Sequence, residues 1–162
     1  MVRRTVEAVL KSAARPVIVV TGHQPRRVRM ALKGLSLFYC HADDYAEGMA
    51  ASLRAGIAAV PTTCAGALVC LGDMPFMMSA TLDRLISAYD PKTGWIALVP
   101  TYDGQRGNPV LLGRPLFPEV TRLTGDKGAK PLLAAVPERV AEIPVDDPGI
   151  LRDVDRPDTP VS

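Results

Sequence analysis

The segment "LVCLGDMPFM", residues 68–77, carries an apolar run to a carboxylate and then to a proline. The run indicates a buried strand, and Pro75 prevents the strand from continuing because proline lacks a backbone N–H. In open α/β sheets, ligands bind beyond the carboxyl ends of the strands. The segment therefore predicts that Asp73 lies at a functional edge, although aspartate is also common in ordinary turns.

The pattern around this strand alternates short apolar runs with segments of helical spacing. Continuous apolarity, as in "VIVVTG" (residues 17–22), is typical of a strand covered on both faces of a parallel sheet. We predict strands over residues 17–21, 35–40, 66–73, 94–100, 108–113 and 139–145, and helices over residues 2–13, 25–33, 45–60, 79–89, 115–123 and 129–135. This alternation predicts a three-layer α/β/α sandwich with a mostly parallel sheet.

Composition narrows the class of protein. The 162 residues suffice for one domain with a core, and 48% apolar with 22% charged residues indicates a soluble globular protein. A net charge of +2 without a basic tract argues against nucleic-acid binding. No apolar run approaches the roughly 20 residues of a membrane span, and the N-terminus lacks a signal-peptide pattern, which predicts a cytoplasmic protein. Three widely spaced cysteines, Cys40, Cys64 and Cys70, argue against a disulfide framework and a zinc site.

Carboxylates are the first candidates for chemistry. Mg²⁺ prefers oxygen ligands and is usually held by one or two carboxylates plus substrate phosphates. Asp73 fits this requirement, and Asp153 and Asp155 in "RDVDRPD" would share one face if that segment is extended. A solvated acidic tail explains the last two equally simply.

Three further segments place polar or small residues near predicted strand ends. "DYAEGMAASLRAG" (residues 44–56) begins a helix with Gly48, Met49 and Ser52, which suits either close approach of a ligand to the helix N-terminus or tight packing on the sheet. "TGDKGAKPL" (124–132) sets Asp126 and Lys127 between glycines, either as a mobile loop with a phosphate-directed lysine or as a polar turn. "DGQRGNPVLL" (103–112) places Arg106 and Asn108 before a strand.

Together these segments resemble one family. "VVTGHQ", "EGMAASLRAGI", "LGDMP", "YDGQRGNPVLL", "TGDKGAKPLL" and "DDPGILRDVDRPDT" occur in the order and spacing of the MobA-like nucleotidyltransferases, and the branch they are most similar to is molybdenum cofactor cytidylyltransferase. The resemblance spans essentially the whole chain, which we expect to form a single domain over residues 1–162.

The resemblance implies a Rossmann-like nucleotidyltransferase fold and a Mg²⁺-dependent reaction. CMP or GMP would pass from CTP or GTP to molybdopterin or the molybdenum cofactor, with release of pyrophosphate. It implies that Asp73 and Lys127 are catalytic, that Asp73, Asp155 and Asp153 hold the metal, that Gly48, Met49, Ser52 and Gly72 bind the nucleotide, and that Arg106, Asn108 and Asp126 bind the acceptor.

Two features depart from the family pattern. Asn108 stands where the family usually has histidine. The family's opening strand and "LAAG.S.RMG" loop have no counterpart, so we expect a domain that is N-terminally truncated relative to the family and lacks the usual first, central strand. Its absence predicts that strands 17–21 and 67–71 lack a partner between them, and an open edge of this kind invites a homodimer. The alternative function is that of a truncated non-catalytic homologue that binds a pterin or a molybdoenzyme partner.

Overall fold

The computed structural model of the chain describes residues 1–153. Its helices are α1 (Val2–Lys11), α2 (Pro25–Ala31), α3 (Met49–Ala58), α4 (Ser79–Ala88), α5 (Phe117–Val120) and α6 (Lys130–Ala135). Its strands are β1 (Ile18–Thr21), β2 (Phe38–His41), β3 (Gly66–Val69), β4 (Ala97–Tyr102), β5 (Gln105–Arg106), β6 (Val110–Gly113) and β7 (Val140–Pro144). Within residues 1–153, no helix is long and apolar enough to cross a membrane.

Each predicted helix and strand has a counterpart, with shorter bounds. The strand predicted over residues 35–40 begins only at Phe38, because Gly34 has a positive φ of 89° and the chain turns there before it can pair with β1. The two-residue strand β5, which forms a small hairpin with β4, was not predicted. A strand this short leaves no periodic pattern in the sequence.

The strands form two sheets. β1 and β2 pair in parallel, while the second sheet has the order β3-β6-β4-β5, with β7 also paired to β4. β6 runs antiparallel between β3 and β4, and β7 runs parallel to β4. The α/β fold class is therefore confirmed. The smaller sheet is parallel, and the larger sheet is mixed, with β4–β7 as its parallel pair among the described strands.

Helices cover both faces of the larger sheet. On one face, Leu53 and Ile57 of α3 pack with Ala97 and Val99 of β4, together with apolar residues of α5 and α6. Leu98 points to the opposite face, as alternation along a strand requires, and packs with residues of α4. Helix α1 contacts α4 and α2 and so lies on the α4 side. These contacts build the three layers that the sequence predicts.

The predicted gap in the sheet is confirmed. Within residues 1–153, β1 pairs only with β2 and β3 pairs only with β6, so no strand links the two sheets. The strands beside and away from the gap differ in burial. β6 is buried at every position, whereas β3, which borders the gap, is half-buried throughout although its sequence is equally apolar.

Candidate functional site

A cleft of about 1470 Å³ lies between β1 and β3. Helix α1 contributes Val6 and Val9 to its wall, and α3 contributes Leu53 and Ile57. Small-molecule sites usually occupy about 300–1,000 Å³. The cleft therefore has room for a ligand at the ends of the strands and for further atoms between the two sheets.

Most of the residues predicted from the sequence line this one cleft. They come from five separate segments of the chain: Met49 and Ser52, Gly72, Asn108, Asp126 and Lys127, and Asp153. Segments far apart in sequence meet here because loops and helix ends gather at the open side of the cleft. Of the other predicted residues, Gly48, Asp73 and Arg106 are not among the residues that line the cleft.

Asp73 occupies the turn that follows β3 and is half-buried. The preceding residue, Gly72, lines the cleft, and its carbonyl accepts a hydrogen bond of 3.1 Å from the hydroxyl of Thr5 on α1. The following residue, Met74, is only 2% exposed and anchors the turn in the core. Asp73 itself is not among the residues that line the cleft; it lies between Gly72, which lines it, and the buried Met74.

A buried carboxylate joins the Asp73 turn to the segment that leads to Asp153. Asp147, 2% exposed, accepts hydrogen bonds from the backbone N–H of Met78 (2.9 Å), the Thr81 hydroxyl (2.7 Å) and the backbone N–H of Gly149 (2.9 Å). The first two donors lie at the N-terminus of helix α4, so the carboxylate caps that helix. The bond from Gly149 fixes the 3₁₀ turn Pro148–Leu151. Sequence reasoning missed Asp147. Its signal was the Asp-Pro-Gly turn, in which it bonds Gly149, but its other two partners, Met78 and Thr81, lie more than sixty residues away.

The N-terminus of α3 is covered by the 124–128 loop. The backbone N–H of Met49 donates to Asp126 Oδ1 and that of Ala50 donates to the Gly125 carbonyl, both at 3.0 Å. Gly48 has a φ of 115°, and a Cβ at this position would lie 2.7 Å from the Gly125 oxygen. The small residues at this helix end thus admit the loop, and Asp126, predicted to bind the acceptor, caps the helix in this structure.

The two residues before β6 take different positions. Asn108 lines the cleft, and its backbone N–H donates to the carbonyl of Ile150 at 3.0 Å, close to the segment that leads to Asp153. Arg106 lies on β5, outside the cleft lining, and its guanidinium is 3.4 Å from Glu142 on β7. A role for Arg106 in acceptor binding requires it to leave this exposed ion pair.

Basic side chains line the same cleft. They are Arg15, Lys127 and Lys130. The Arg15 guanidinium keeps its charge but already donates to the carbonyls of Leu10, Ser12 and Ala14, which leaves it fewer N–H groups for a ligand than the two lysines have. Lys130 was not predicted, although it stands in the quoted "TGDKGAKPL" segment.

Cys70, which lines the cleft, is a poor nucleophile. Burial raises the pKa of the Cys70 thiol to about 12, and the pKa of Cys40 is also raised by burial. Because the thiolate is the nucleophilic form, a raised pKa keeps these side chains neutral and unreactive. They serve as small apolar residues.

Metal ligands are sparse in the part of the chain that the structure describes. Residues 1–153 contain no group of three or more His, Cys, Asp or Glu side chains placed to hold a metal ion. Asp155 lies outside the described residues. The oxygen donors Asp73 and Asp153 fit a hard cation that takes one or two protein carboxylates and completes its shell with phosphate and water.

Comparison with known families gives this cleft its context. The family model described as the MobA-like NTP transferase domain matches residues 1–141. The chain belongs to this family. As a MobA-like NTP transferase it is a nucleotidyltransferase-like protein, which confirms the family resemblance. No curated protein matches the sequence.

Solved structures support the same assignment. Rv0371c from Mycobacterium tuberculosis is 29% identical with a TM-score of 0.77, and the match covers 95% of this chain and 78% of that one. A structure of Rv0371c complexed with manganese is 30% identical with a TM-score of 0.79, over 96% and 81% of the two chains. A nucleotidyl transferase from Methanothermobacter is 28% identical with a TM-score of 0.77, over 91% and 70%.

Proposed function

We propose that this MobA-like NTP transferase transfers CMP from CTP, or GMP from GTP, to the phosphate of molybdopterin or the molybdenum cofactor. The observation that carries the proposal is the convergence of Met49, Ser52, Gly72, Lys127 and Asp153 on one cleft at the ends of the strands. Their sequence segments are those that resemble the cytidylyltransferase branch. A phosphorylated acceptor and a nucleotide both require such a cleft, with cations for their phosphates and room for two ligands.

The proposed reaction is a direct displacement. An oxygen of the acceptor phosphate attacks the α-phosphorus of the nucleotide, and a new P–O bond forms. The bond between the α-phosphorus and the oxygen bridging to the β-phosphorus breaks, and pyrophosphate leaves with that electron pair. No covalent intermediate with the protein is needed, so catalysis consists of positioning and charge stabilisation.

The chain's own residues supply the positioning. Lys127 and Lys130 bring positive charge to the phosphates, and the 124–128 loop that carries Lys127 is held on α3 through Asp126 and Gly125. Ser52, one turn into α3, supplies a hydroxyl toward the nucleotide. These bonds hold the loop main chain beside Lys127, so only the lysine side chain has to be ordered when the substrate binds.

A divalent cation would be held by Asp73 and Asp153, with Asp155 as a further candidate outside the described residues. When bound, it would neutralise charge on the α-phosphate and on the leaving pyrophosphate. The manganese in the Rv0371c structure supports divalent metal use in a protein of similar fold and sequence. We propose Mg²⁺ as the ion in this chain.

The small number of basic groups in the cleft favours a second candidate function. A non-catalytic homologue would bind a pterin or a molybdoenzyme without transferring a nucleotide. Lys127 and Lys130 are the free-standing basic groups in the described cleft lining, which is a modest complement for a triphosphate. Nucleotide binding by the isolated chain distinguishes the two candidates.

The test is calorimetric titration with Mg-CTP and Mg-GTP. We expect one nucleotide to bind with a micromolar Kd and Asp73→Asn to weaken binding at least tenfold. Asp43→Asn is the matched control, since the Asp43 side chain is fully exposed and lies near His41, away from the described cleft lining. Absence of heat with both nucleotides would reject the transferase reading of this chain and favour the binding protein.

Turnover is measured separately as pyrophosphate release with molybdopterin as the acceptor. We expect release that requires both substrates and a divalent cation, with Lys127→Met lowering kcat more than it raises KM. Release that is independent of the acceptor would indicate nucleotide hydrolysis and contradict the proposed acceptor.

A further inference from the structure

One arginine on α3 joins the segment before that helix to the 124–128 loop. The side chain of Arg54 is 22% exposed. One of its terminal nitrogens, Nη2, donates to Asp44 Oδ2 at 2.7 Å and to Glu47 Oε2 at 3.2 Å, and the other, Nη1, donates to the carbonyl of Leu123. Leu123 is 7% exposed and directly precedes the loop. The guanidinium therefore ties the start of the loop to α3.

The loop meets α3 at a second point, the N-terminus of the helix. The N–H groups of Met49 and Ala50, the first two residues of α3, donate to Asp126 and Gly125. The first N–H groups of a helix have no partner within the helix, so the loop supplies their acceptors. Because residues four apart lie on the same side of a helix, Ala50 and Arg54 hold the loop along one side of α3.

The composition of the loop explains why these attachments matter. Gly125 and Gly128 stand on either side of Asp126 and Lys127. Glycine has more conformational freedom to lose than any other residue, so a loop with this sequence has little order of its own. Contacts with α3 therefore decide where the main chain of Lys127 lies.

Arg54 itself is placed to hold the loop and not to bind a ligand. It is not among the residues that line the described cleft, whereas Lys127 is. Both of its terminal nitrogens already donate to protein oxygens, and two carboxylates compensate its charge. Any effect of Arg54 on a bound phosphate must therefore pass through the loop.

We propose that Arg54 is a positioning residue for phosphate binding: its hold on the Leu123 carbonyl keeps the 124–128 loop docked on α3, with Lys127 at the cleft, before the nucleotide arrives. The inference rests on the proposed function and adds to it a residue that contacts no substrate. A lysine whose main chain is already ordered loses less entropy on binding than one on a mobile loop, which raises the affinity for a triphosphate.

The first measurement is amide hydrogen exchange in the ligand-free protein. The variant is Arg54→Met, which keeps an unbranched aliphatic side chain and removes the guanidinium. We expect the Met49 and Ala50 amides to exchange about tenfold faster in this variant, because they lose their acceptors in the loop. The amide of Ile57, farther along α3, should change less than about twofold, since its acceptor lies within the helix.

The matched control is Arg122→Met. Arg122 is the neighbour of Leu123 in sequence, but its side chain is 77% exposed and pairs with Glu119 on α5. This ion pair does not involve the loop or α3. We expect Arg122→Met to leave exchange at Met49 and Ala50 unchanged.

The second measurement is the Kd of inorganic tripolyphosphate with Mg²⁺, a probe that carries the phosphates of a nucleotide without its base. It is determined by calorimetry for the wild type, Arg54→Met, Lys127→Met and the double variant. Arg54→Met should weaken binding about tenfold when Lys127 is present and less than about twofold when Lys127 is already methionine, because the two residues act as one unit. Arg54→Lys, which keeps the charge but not the planar fork, should recover part of the affinity.

Four results would overturn the proposal. Unchanged exchange at Met49 and Ala50 in Arg54→Met would show that the loop stays docked without the guanidinium. Equal acceleration at Ile57 would show that Arg54 stabilises α3 as a whole. Equal losses of tripolyphosphate affinity with and without Lys127 would show that Arg54 does not act through that lysine. Absence of tripolyphosphate binding to the wild type at millimolar concentration would show that the loop binds no phosphate.

Failure of the proposed function gives a different pattern. Tripolyphosphate would then bind with the expected dependence on Arg54 and Lys127, while neither Mg-CTP nor Mg-GTP would bind more tightly than tripolyphosphate does. That pattern would support the role of Arg54 and reject the nucleotide as the ligand.

Discussion

Asp147 should be the most costly acidic residue to remove from the described part of the chain. In Asp147→Ala, the N–H groups of Met78 and Gly149 and the Thr81 hydroxyl lose a buried charged acceptor that now lies 2.7–2.9 Å away. Each hydrogen bond to a charged group contributes about 1.5–3 kcal/mol, and the three share one carboxylate, so their losses do not simply add. We expect the free energy of unfolding to fall by about 4 kcal/mol.

Urea unfolding followed by circular dichroism measures this loss. Thermal unfolding gives a second measure: for a domain of this size, 1 kcal/mol corresponds to about 2–4 °C in Tm, so Tm should fall by roughly 8–16 °C. Asp147→Asn keeps one acceptor oxygen but turns an NH₂ group toward a donor, and we expect about half the loss. The matched control is Asp146→Ala, an exposed neighbour whose change should stay within about 0.5 kcal/mol.

The reasoning fails if Asp147→Ala lowers the free energy of unfolding by less than about 1 kcal/mol, or by no more than Asp146→Ala does. Either result would mean that the three donors find water or other acceptors at little cost. The carboxylate would then not hold the Asp73 turn against the segment before Asp153.

Three further predictions concern the loop, the cleft wall and one surface ion pair. Gly48→Ala should lower the free energy of unfolding by about 3 kcal/mol, because a Cβ at this position would meet the backbone of Gly125. The control is Gly34→Ala, which also has a positive φ but open space around it and should lower the free energy of unfolding by about 1 kcal/mol. Equal losses in urea unfolding would contradict the proposed clash. Cys70 should react with iodoacetamide at pH 8 roughly a thousandfold more slowly than an ordinary thiol, since a pKa of about 12 leaves little thiolate; peptide mass spectrometry should show equal labelling only in urea. The hydrogen bond from Arg54 lowers the pKa of Asp44. The pair should therefore stabilise the fold at pH values above the unfolded-state pKa of Asp44, and this stabilisation should be lost as the pH falls through the lowered, folded-state pKa. An NMR titration in which Arg54→Met leaves the pKa of Asp44 unchanged would refute this cause.

Local pattern predicted the elements well because each depends on residues close in sequence. Apolar runs ending in glycine or proline located β1 and β3, and helical spacing located α3 and α4. The antiparallel insertion of β6 between β3 and β4 was not predicted, because its pairing with β3 joins residues more than forty positions apart. A strand's own sequence carries no record of which neighbour its hydrogen bonds reach.

The candidate site shows the same division. The segments around Gly72 and Lys127 were identified from the sequence, and the structure brings both to one cleft. Asp126 illustrates the limit: an aspartate between glycines suits a ligand contact or a turn, and only the approach of the 124–128 loop to α3 makes it the cap of that helix.

By itself, the sequence predicted the family and the alternation of helices and strands, because these follow from ordered motifs and local periodicity. It also predicted that β1 and β3 do not pair with each other, as is found within residues 1–153. The tertiary structure alone decided that α1 and α3, which are far apart in sequence, both line the cleft between β1 and β3. It also decided that Asp147 links the Asp73 turn to the segment before Asp153. These features depend on the packing of distant segments, and hydrogen bonds across such distances form only once the core has set the positions of both partners.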